Sequence, residues 1–96
     1  MITDLNKIFD SRIRLGIMSA LVVNDTINFN DLKEVLQITD GNLASHLKTL
    51  DEAKYITVNK GFIGRKTNTV YKITKLGSKA FAAHIAALEK MINNLK

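Results

Sequence analysis

The sequence predicts a small α+β domain that is mainly helical. Three observations carry this prediction: apolar residues recur at helical spacing through the first half, two alternating runs flank a glycine-bearing segment, and a long amphipathic stretch follows them. The chain has 96 residues and no proline. That length fits one unit, so we expect residues 1–96 to form a single domain.

The composition excludes several classes of protein. There is no cysteine, hence no disulfide, no thiolate metal site and no thiol switch. No apolar run reaches membrane-spanning length, because His84 interrupts the best one, AFAAHIAAL. The first residues, MITDLNKIF, include an acid and do not resemble a secretory signal. We therefore expect a cytoplasmic protein with no membrane partner.

The net charge of +5 is divided unevenly along the chain. Residues 1–53 carry five basic and eight acidic residues, whereas residues 54–96 carry nine basic residues against Glu89 alone. Clustered cations gain free energy by releasing the counterions of a polyanion, so the second half is expected to contact nucleic acid. A solvated basic face is the alternative, but it usually contains interspersed acids. None stands between Lys54 and Lys79.

Short helices are predicted for the first part of the chain. One lies in ITDLNKIF, and a second lies in DSRIRLGIMSALVV, which Asp10 or Ser11 can cap. The Asn- and Asp-rich stretch NDTIN predicts a turn, with Ile27 in a very short strand. Arg12 and Arg14 are expected to pair with acids such as Asp10 or Glu52 rather than with DNA.

Two further capped helices follow at short separation. NFNDLKEVLQ starts with Asn28 and Asp31, which resemble a capping pair, and Thr39 or Asp40 can cap GNLASHLKTLDEA. Two short helices joined by three or four residues describe a helix-turn-helix. The second of them has one apolar face, formed by Leu43, Leu47 and Leu50.

A β-hairpin is predicted in YITVNKGFIGRKTNTVYKIT, residues 55–74. Ile56 and Val58 alternate with polar residues before the tip, and Tyr71 and Ile73 do so after it. The segment holds four basic residues and no acid. Helix, helix-turn-helix, two-stranded ribbon and helix, in that order, make the layout of a winged helix-turn-helix, in which the ribbon is the wing.

The stretches TDGNLASHLKTLDEAKYI and VNKGFIGRKTNTVYKITKLG resemble the small winged-helix transcriptional regulators related to the MarR and ArsR families, specifically their single-domain members. The resemblance runs from SRIRLGIMSAL to the helix after Gly77. It implies sequence-specific binding of double-stranded DNA, and the related families dimerise through terminal helices. One departure is Lys54, where such proteins usually place a glycine to end the recognition helix.

The second helix of the motif presents a polar face opposite its leucines. Its glycine permits close approach of the backbone, and its first amide groups favour a phosphate. Asn, His, Ser and Thr side chains can donate and accept at base edges. The predicted DNA-reading residues are Gly41, Asn42, Ser45, His46, Lys48 and Thr49. A solvated helix face is the alternative, and His46 can equally be a helix-packing residue.

The wing is expected to supply affinity, because the polar helix face carries only one full charge. Arg65 suits insertion into a groove, since its planar and weakly hydrated head tolerates confinement. Phe62 and Ile63 are expected to pack against the base of the wing, and contact with the sugar-phosphate edge is the alternative. The predicted DNA-contacting residues of the wing are Lys60, Arg65, Lys66, Thr67, Asn68 and Lys72.

The last stretch, KLGSKAFAAHIAALEKMINNLK, is longer than a winged helix needs. Its large apolar residues are spaced 4, 3, 4 and 3 apart, which is a heptad seam. A small core cannot cover them all, so we expect a homodimer through residues 76–96, with residues 1–9 alongside. Two-fold symmetry then predicts an inverted-repeat operator. The predicted interface residues are Leu5, Ile8, Phe9, Phe81, Ile85, Leu88, Ile92 and Leu95.

Other functions fit the sequence less well. An enzyme is not expected, because no cysteine nucleophile or glycine-rich phosphate loop is present and the two histidines lie on separate predicted helices. No residues have metal-ligand spacing, and no cofactor or small-molecule effector is identified. A winged helix used only for protein–protein interaction is the main alternative, although such modules tend to lose the basic wing. Double-stranded RNA is a weaker one, because its deep major groove excludes a reading helix.

Overall fold

The computed structural model describes residues 2–95 and has the predicted winged-helix layout. Residues 1 and 96, at the ends of the two predicted dimerisation segments, lie outside the described residues. The elements are two 3-10 turns (Ile2–Asp4 and Lys7–Phe9), α1 (Arg12–Val23), β1 (Ile27–Asn28), α2 (Phe29–Leu36), α3 (Asp40–Glu52), β2 (Ile56–Ile63), β3 (Lys66–Ile73) and α4 (Lys75–Asn94).

Each α-helix starts after a residue whose side chain accepts a backbone hydrogen bond. Ser11, Asn28, Thr39 and Thr74 each accept from the amide three residues further along the chain. Such bonds satisfy amide groups that the first turn of a helix leaves unpaired. The sequence-based caps are therefore confirmed, with Ser11 rather than Asp10 before α1 and Thr39 rather than Asp40 before α3.

Helix α3 ends without a glycine. After it, the amide of Lys54 donates to the carbonyl of Asp51 and the amide of Tyr55 donates to that of Leu50. These two bonds are a Schellman ending, and Lys54 fills its left-handed position with φ of 63°. A side chain there costs about 1–2 kcal/mol in left-handed strain. The last turn of α3 is nevertheless complete.

The core joins α1, α2 and α3 to the inner face of the sheet. Apolar residues at helical spacing on the helices meet alternate residues of β2 and β3, as the two periodicities require. The buried set is Phe9, Ile17, Met18, Leu21, Leu32, Leu43, Leu47, Leu50, Ile56 and Tyr71.

Two details of local structure add to the expectation or correct it. The predicted short strand at Ile27 is present, and it pairs with Tyr71 of β3, so the sheet has three strands in the order β1-β3-β2. The N-terminal segment, predicted to be one short helix, forms two short 3-10 helices instead. Asn6 has an extended backbone that separates the two, and its side chain accepts from the amide of Ile8, 3.0 Å away, which caps the second.

The start of α4 is fixed to the end of α3. Thr74 donates its hydroxyl to the carbonyl of Lys54 at 2.7 Å and its amide to that of Tyr55 at 3.0 Å. Gly77 lies so close that a Cβ at this position would be 2.1 Å from the Tyr55 carbonyl oxygen. Only glycine permits this approach of two backbones. The junction therefore holds α3 and α4 in one fixed relation.

Candidate nucleic-acid interface

Between Gly41 and Thr49 the outer face of α3 carries polar groups of which only Lys48 is charged, whereas Asp51 and Glu52 are exposed in its last turn. Gly41, Asn42, Ser45 and Lys48 are exposed, while Thr49 is half-buried and its hydroxyl reaches the Ser45 carbonyl at 3.3 Å. The opposite leucines lie in the core, so they fix which side of the helix faces outward. Most of the predicted reading residues therefore share one accessible face.

The first turn of α3 is open to a ligand. A Cβ at Gly41 would meet no heavy atom within 4 Å. The nearby acid Asp40 is paired with Lys33 of α2 at 2.8 Å, which offsets its charge beside the helix N-terminus. A phosphate could therefore approach the amide groups at the start of this turn, before that of Asn42, which donates to Thr39.

His46 lies at the edge of this face and contacts α1. The Nη1 atom of Arg14 is 2.8 Å from His46 Nδ1, and Arg14 Nε donates to the carbonyl of Ile8. Because a guanidinium can only donate, Nδ1 is the acceptor and the ring hydrogen is on Nε2. Burial, and then the charge of Arg14, lower the pKa of His46. The helix-packing contact expected as one interpretation of His46 is therefore present, and contact of His46 with a base stays a prediction.

The expected partners of the two arginines are wrong. Arg14 bonds to His46 and to a backbone carbonyl instead of to Asp10 or Glu52. Among residues 2–95, Lys33 and Asp40 form the one ion pair, so Arg12 has no acidic partner there either. The bond between Arg14 and His46 could not be predicted from the sequence, because it depends on how α1 packs against α3.

The wing is a regular two-stranded ribbon up to its tip. The last cross-strand pair is Ile63 with Lys66, which leaves Gly64 and Arg65 as the loop. Gly64 has φ of 64°, as the first central residue of a type II′ hairpin turn requires. The predicted contact residues are exposed except Asn68, which is half-buried; they are Lys60, Arg65, Lys66, Thr67, Asn68 and Lys72.

Two large apolar residues beside the tip are also exposed. Phe62 is 73% exposed and Ile63 is 68% exposed. The expectation that they pack against the base of the wing is therefore wrong. Because the strands stay paired up to the tip, these side chains lie beyond the reach of the core.

Helix α4 leaves a stripe of apolar residues uncovered. Ile85 and Leu88 are each 37% exposed, Ile92 is 63% exposed and Leu95 is 73% exposed. Beside them, a shallow apolar groove lies between the end of α1 and α4, lined by Val22, Phe81, Ala82, Ile85 and Ala86.

The N-terminal segment is built into the domain, which corrects part of the predicted interface. Phe9 is 2% exposed and its ring packs edge-on against that of Phe81, with centroids 5.5 Å apart. Such a residue cannot contact a partner. Leu5 and Ile8 are half-buried, and Ile8 also packs against the core.

Sequence reasoning missed the role of His84 in anchoring that segment. His84 is buried, and its Nδ1 accepts from the amide of Asn6 at 3.1 Å. The Asn6 side chain then donates to the hydroxyl of Tyr55 at 2.9 Å. The signal available in the sequence was a lone histidine within an apolar run, which indicates a buried polar contact.

Residues 2–95 hold no cluster of three or more typical metal ligands and no helix that could span a membrane. No group of His, Cys, Asp or Glu side chains in this range could hold a metal ion. No helix in it combines the length and apolarity needed to cross a membrane.

Comparison with known proteins decides the family. The winged helix DNA-binding domain family matches residues 13–92, which include α2, α3, the wing and nearly all of α1 and α4. The chain belongs to this family. The predicted fold is thereby confirmed, together with the resemblance to winged-helix proteins.

Three similar proteins extend the comparison. Protein MJ0432 of Methanocaldococcus jannaschii is 38% identical over 90 residues, covering 94% of this chain and 98% of its own. A transcriptional regulator homologue from Pyrococcus horikoshii OT3 superposes with a TM-score of 0.80 at 30% identity over 98% of both chains. Bacillus subtilis PadR, solved in complex with operator DNA, shares the fold, with a TM-score of 0.66 and 16% identity over 74% of this chain and 45% of PadR.

Proposed function

We propose that this winged-helix domain is a homodimeric transcriptional regulator that binds double-stranded DNA sequence-specifically. In this proposal α3 enters the major groove and reads base edges, while the wing contacts the backbone or the minor groove. Its main support is a difference in charge between two exposed surfaces, the outer face of α3 and the tip of the wing. Between Gly41 and Thr49 the face of α3 is polar and its one charged residue is Lys48, whereas the wing tip is cationic.

The polar face of α3 suits base reading. Asn42 offers both a donor and an acceptor, and Ser45 can act as either. The major groove displays a different pattern of donors and acceptors for each base pair, so such side chains can discriminate. A face with several lysines would bind DNA of any sequence through the DNA phosphates. This face has only Lys48, so it is poorly suited to such binding.

The wing suits the phosphate backbone. Arg65 and Lys66 project at the tip, and no acid lies between Lys54 and Lys79 to offset their charge. Cations that neutralise phosphates supply affinity through counterion release, and they also fix the register of the reading element. The Pyrococcus horikoshii protein is described as a transcriptional regulator homologue, and PadR binds operator DNA with the same fold, which supports the assignment.

The dimer is proposed to form through α4. Four large residues of its heptad seam are at least 37% exposed, and they continue the line of Phe81. Full burial of an exposed side chain of this size is worth about 1.5–3 kcal/mol, and a second copy of the seam would bury the part of each that is still exposed. The groove between α1 and α4 offers space for side chains of that copy. Residues 2–9 contribute only at the edge of this interface, because Phe9 is buried in the core.

Selection from a pool of randomised duplexes tests the function. Purified protein should enrich an inverted repeat with half-sites about one helical turn apart. Fluorescence anisotropy should then give salt-dependent binding, tighter for the enriched sequence than for random DNA. Salt-dependent binding without enrichment would replace the proposal with non-specific DNA coating. An absence of binding to every duplex would favour the protein–protein interaction module.

A pair of charge substitutions tests the dimer. Ile85→Lys with Leu88→Lys should give a monomer in sedimentation equilibrium, because two ammonium groups cannot be buried in an apolar seam. Val23→Lys with Val35→Lys is the matched control, since these residues are 78% and 65% exposed and neither belongs to the seam. A dimer that survives the first pair of substitutions places the interface elsewhere.

A further inference from the structure

We propose that Phe62 and Ile63 form an apolar clamp that straddles the DNA minor groove, with one side chain against the sugars of each wall. The inference rests on the proposed function and deepens it. It assigns to the wing a second contact with DNA, which depends on exclusion of water rather than on charge.

Both side chains are largely exposed to solvent. A phenylalanine 73% exposed and an isoleucine 68% exposed stand next to each other at the end of a hairpin. The fold does not use them, because the ribbon is fully paired beneath them and the core ends nearer the base. Apolar side chains left in water gain free energy from any contact that excludes it.

The two side chains lie on opposite faces of the ribbon. Phe62 lies opposite Thr67, on the face that Ile56 and Val58 present to the core nearer the base. Ile63 lies opposite Lys66, on the other face, because successive side chains of a strand alternate. The turn that follows Ile63 places Arg65 between the two faces.

Two apolar side chains on opposite faces match the two walls of the DNA minor groove. The minor groove is about 6 Å wide, which excludes a whole two-stranded ribbon but admits a single extended side chain. Arg65 at the tip can enter, and its guanidinium favours the negative potential there. An apolar side chain on each face would then rest against the deoxyriboses of the wall on its own side.

The charges around the pair favour DNA as the occupant. Lys60 precedes Phe62 by two residues on the same face, and Lys66 is the cross-strand neighbour of Ile63. Each apolar side chain therefore has an ammonium beside it, and the phosphates lie next to the sugars on each strand. An apolar patch on a protein partner would leave these cations without complementary charge.

The test is a salt titration of the variant Phe62→Ser with Ile63→Ser. Removing the two apolar side chains should weaken binding about tenfold or more at every salt concentration, because hydrophobic contact is not screened. The slope of log affinity against log salt should stay that of the wild type, since every cation that faces a phosphate remains in place. Val23→Ser with Val35→Ser is the matched control and should bind normally.

A fluorescence measurement supports the titration without removing apolar surface. The chain has no tryptophan, so Phe62→Trp places a single reporter at the tip. Duplex DNA should protect this tryptophan from acrylamide quenching, whereas Val23→Trp should stay equally accessible. This result does not depend on how well the serine variant folds.

The outcomes separate the clamp from the proposed function. If the wild type binds DNA while the serine variant binds equally well and the tip tryptophan stays accessible, the clamp is wrong and the function stands. A weaker serine variant with a flatter salt slope would also overturn the clamp, because the residues would then act by positioning cations. If the wild type binds no duplex, both proposals fail.

Discussion

Helix α3 and the tip of the wing are held in very different ways. Helix α3 is capped by Thr39 at its start, closed by the Schellman bonds around Lys54 at its end, and fixed to α4 by the approach of Gly77. The wing tip has only the bonds of its own ribbon, ending in the Gly64–Arg65 loop. The helix is positioned from both ends, whereas the tip is positioned only by the hairpin.

The difference follows from what each surface is proposed to do. A hydrogen bond to a base edge fails when its donor moves by a fraction of an ångström, so a reading element must be rigid. Attraction between cations and phosphates falls slowly with distance, so a gripping element needs charge and reach.

The largest effect is expected where α3 meets α4. Gly77→Ala places a methyl group 2.1 Å from the Tyr55 carbonyl oxygen, so the two backbones must separate. The free energy of unfolding in urea should fall by about 3 kcal/mol or more.

Gly41→Ala is the control for that change. Its Cβ would meet no heavy atom within 4 Å, and alanine favours helix by up to about 1 kcal/mol. Its stability should therefore equal or exceed that of the wild type. Equal stabilities of the Gly77→Ala and Gly41→Ala variants would contradict the fixed junction.

The reading face should control discrimination between sequences. Asn42→Ala and Ser45→Ala remove exposed groups, so stability should not change, but the preference for the selected operator over random DNA should shrink by about 1–3 kcal/mol. Anisotropy on both duplexes measures it. An equal drop in affinity for both would mean that this face contacts only the backbone.

Lys54, which links α3 to the wing, has a strained left-handed backbone, and a glycine at this position should release the strain. Lys54→Gly should stabilise the domain by about 1 kcal/mol, because glycine adopts a φ of 63° without a steric penalty. Lys54→Ala removes the same charge but keeps the Cβ, so it should not stabilise. A gain with alanine as large as with glycine would assign the effect to charge.

The smallest effect concerns the contact of His46 with α1. Because folding lowers the pKa of His46, the unfolded chain binds more protons around that pKa, and stability must fall as pH drops below about 6.5. His46→Gln should make this fall shallower, as measured by urea unfolding at pH 5 and pH 7.5. An unchanged pH profile would show that the neutral ring is not what the site requires.

Features set by local chemistry were predictable from the sequence. The caps at Asn28 and Thr39 depend on a side chain and an amide three residues apart, and the hairpin depends on alternation around Gly64. The polar face of α3 followed in the same way from the spacing of its leucines. Each of these needs only a few neighbouring residues.

Features set by long-range packing were not predictable. The pairing of Ile27 with Tyr71 makes the third strand and joins residues far apart in the chain. The bond between Arg14 and His46 depends on how α1 packs against α3. The exposure of Phe62 depends on how far the ribbon extends beyond the core, which its alternating pattern does not encode.

The division between gripping and reading is tested most directly by Arg65→Ala with Lys66→Ala in a salt titration on operator and random DNA. We expect affinity for both duplexes to fall together. The slope against log salt should decrease by about 0.9 for each phosphate that is no longer neutralised, or roughly 2 in total. The ratio of the two affinities should stay close to that of the wild type. An unchanged slope, or a weakening confined to the operator, would contradict the assignment of affinity to the wing and of sequence reading to α3.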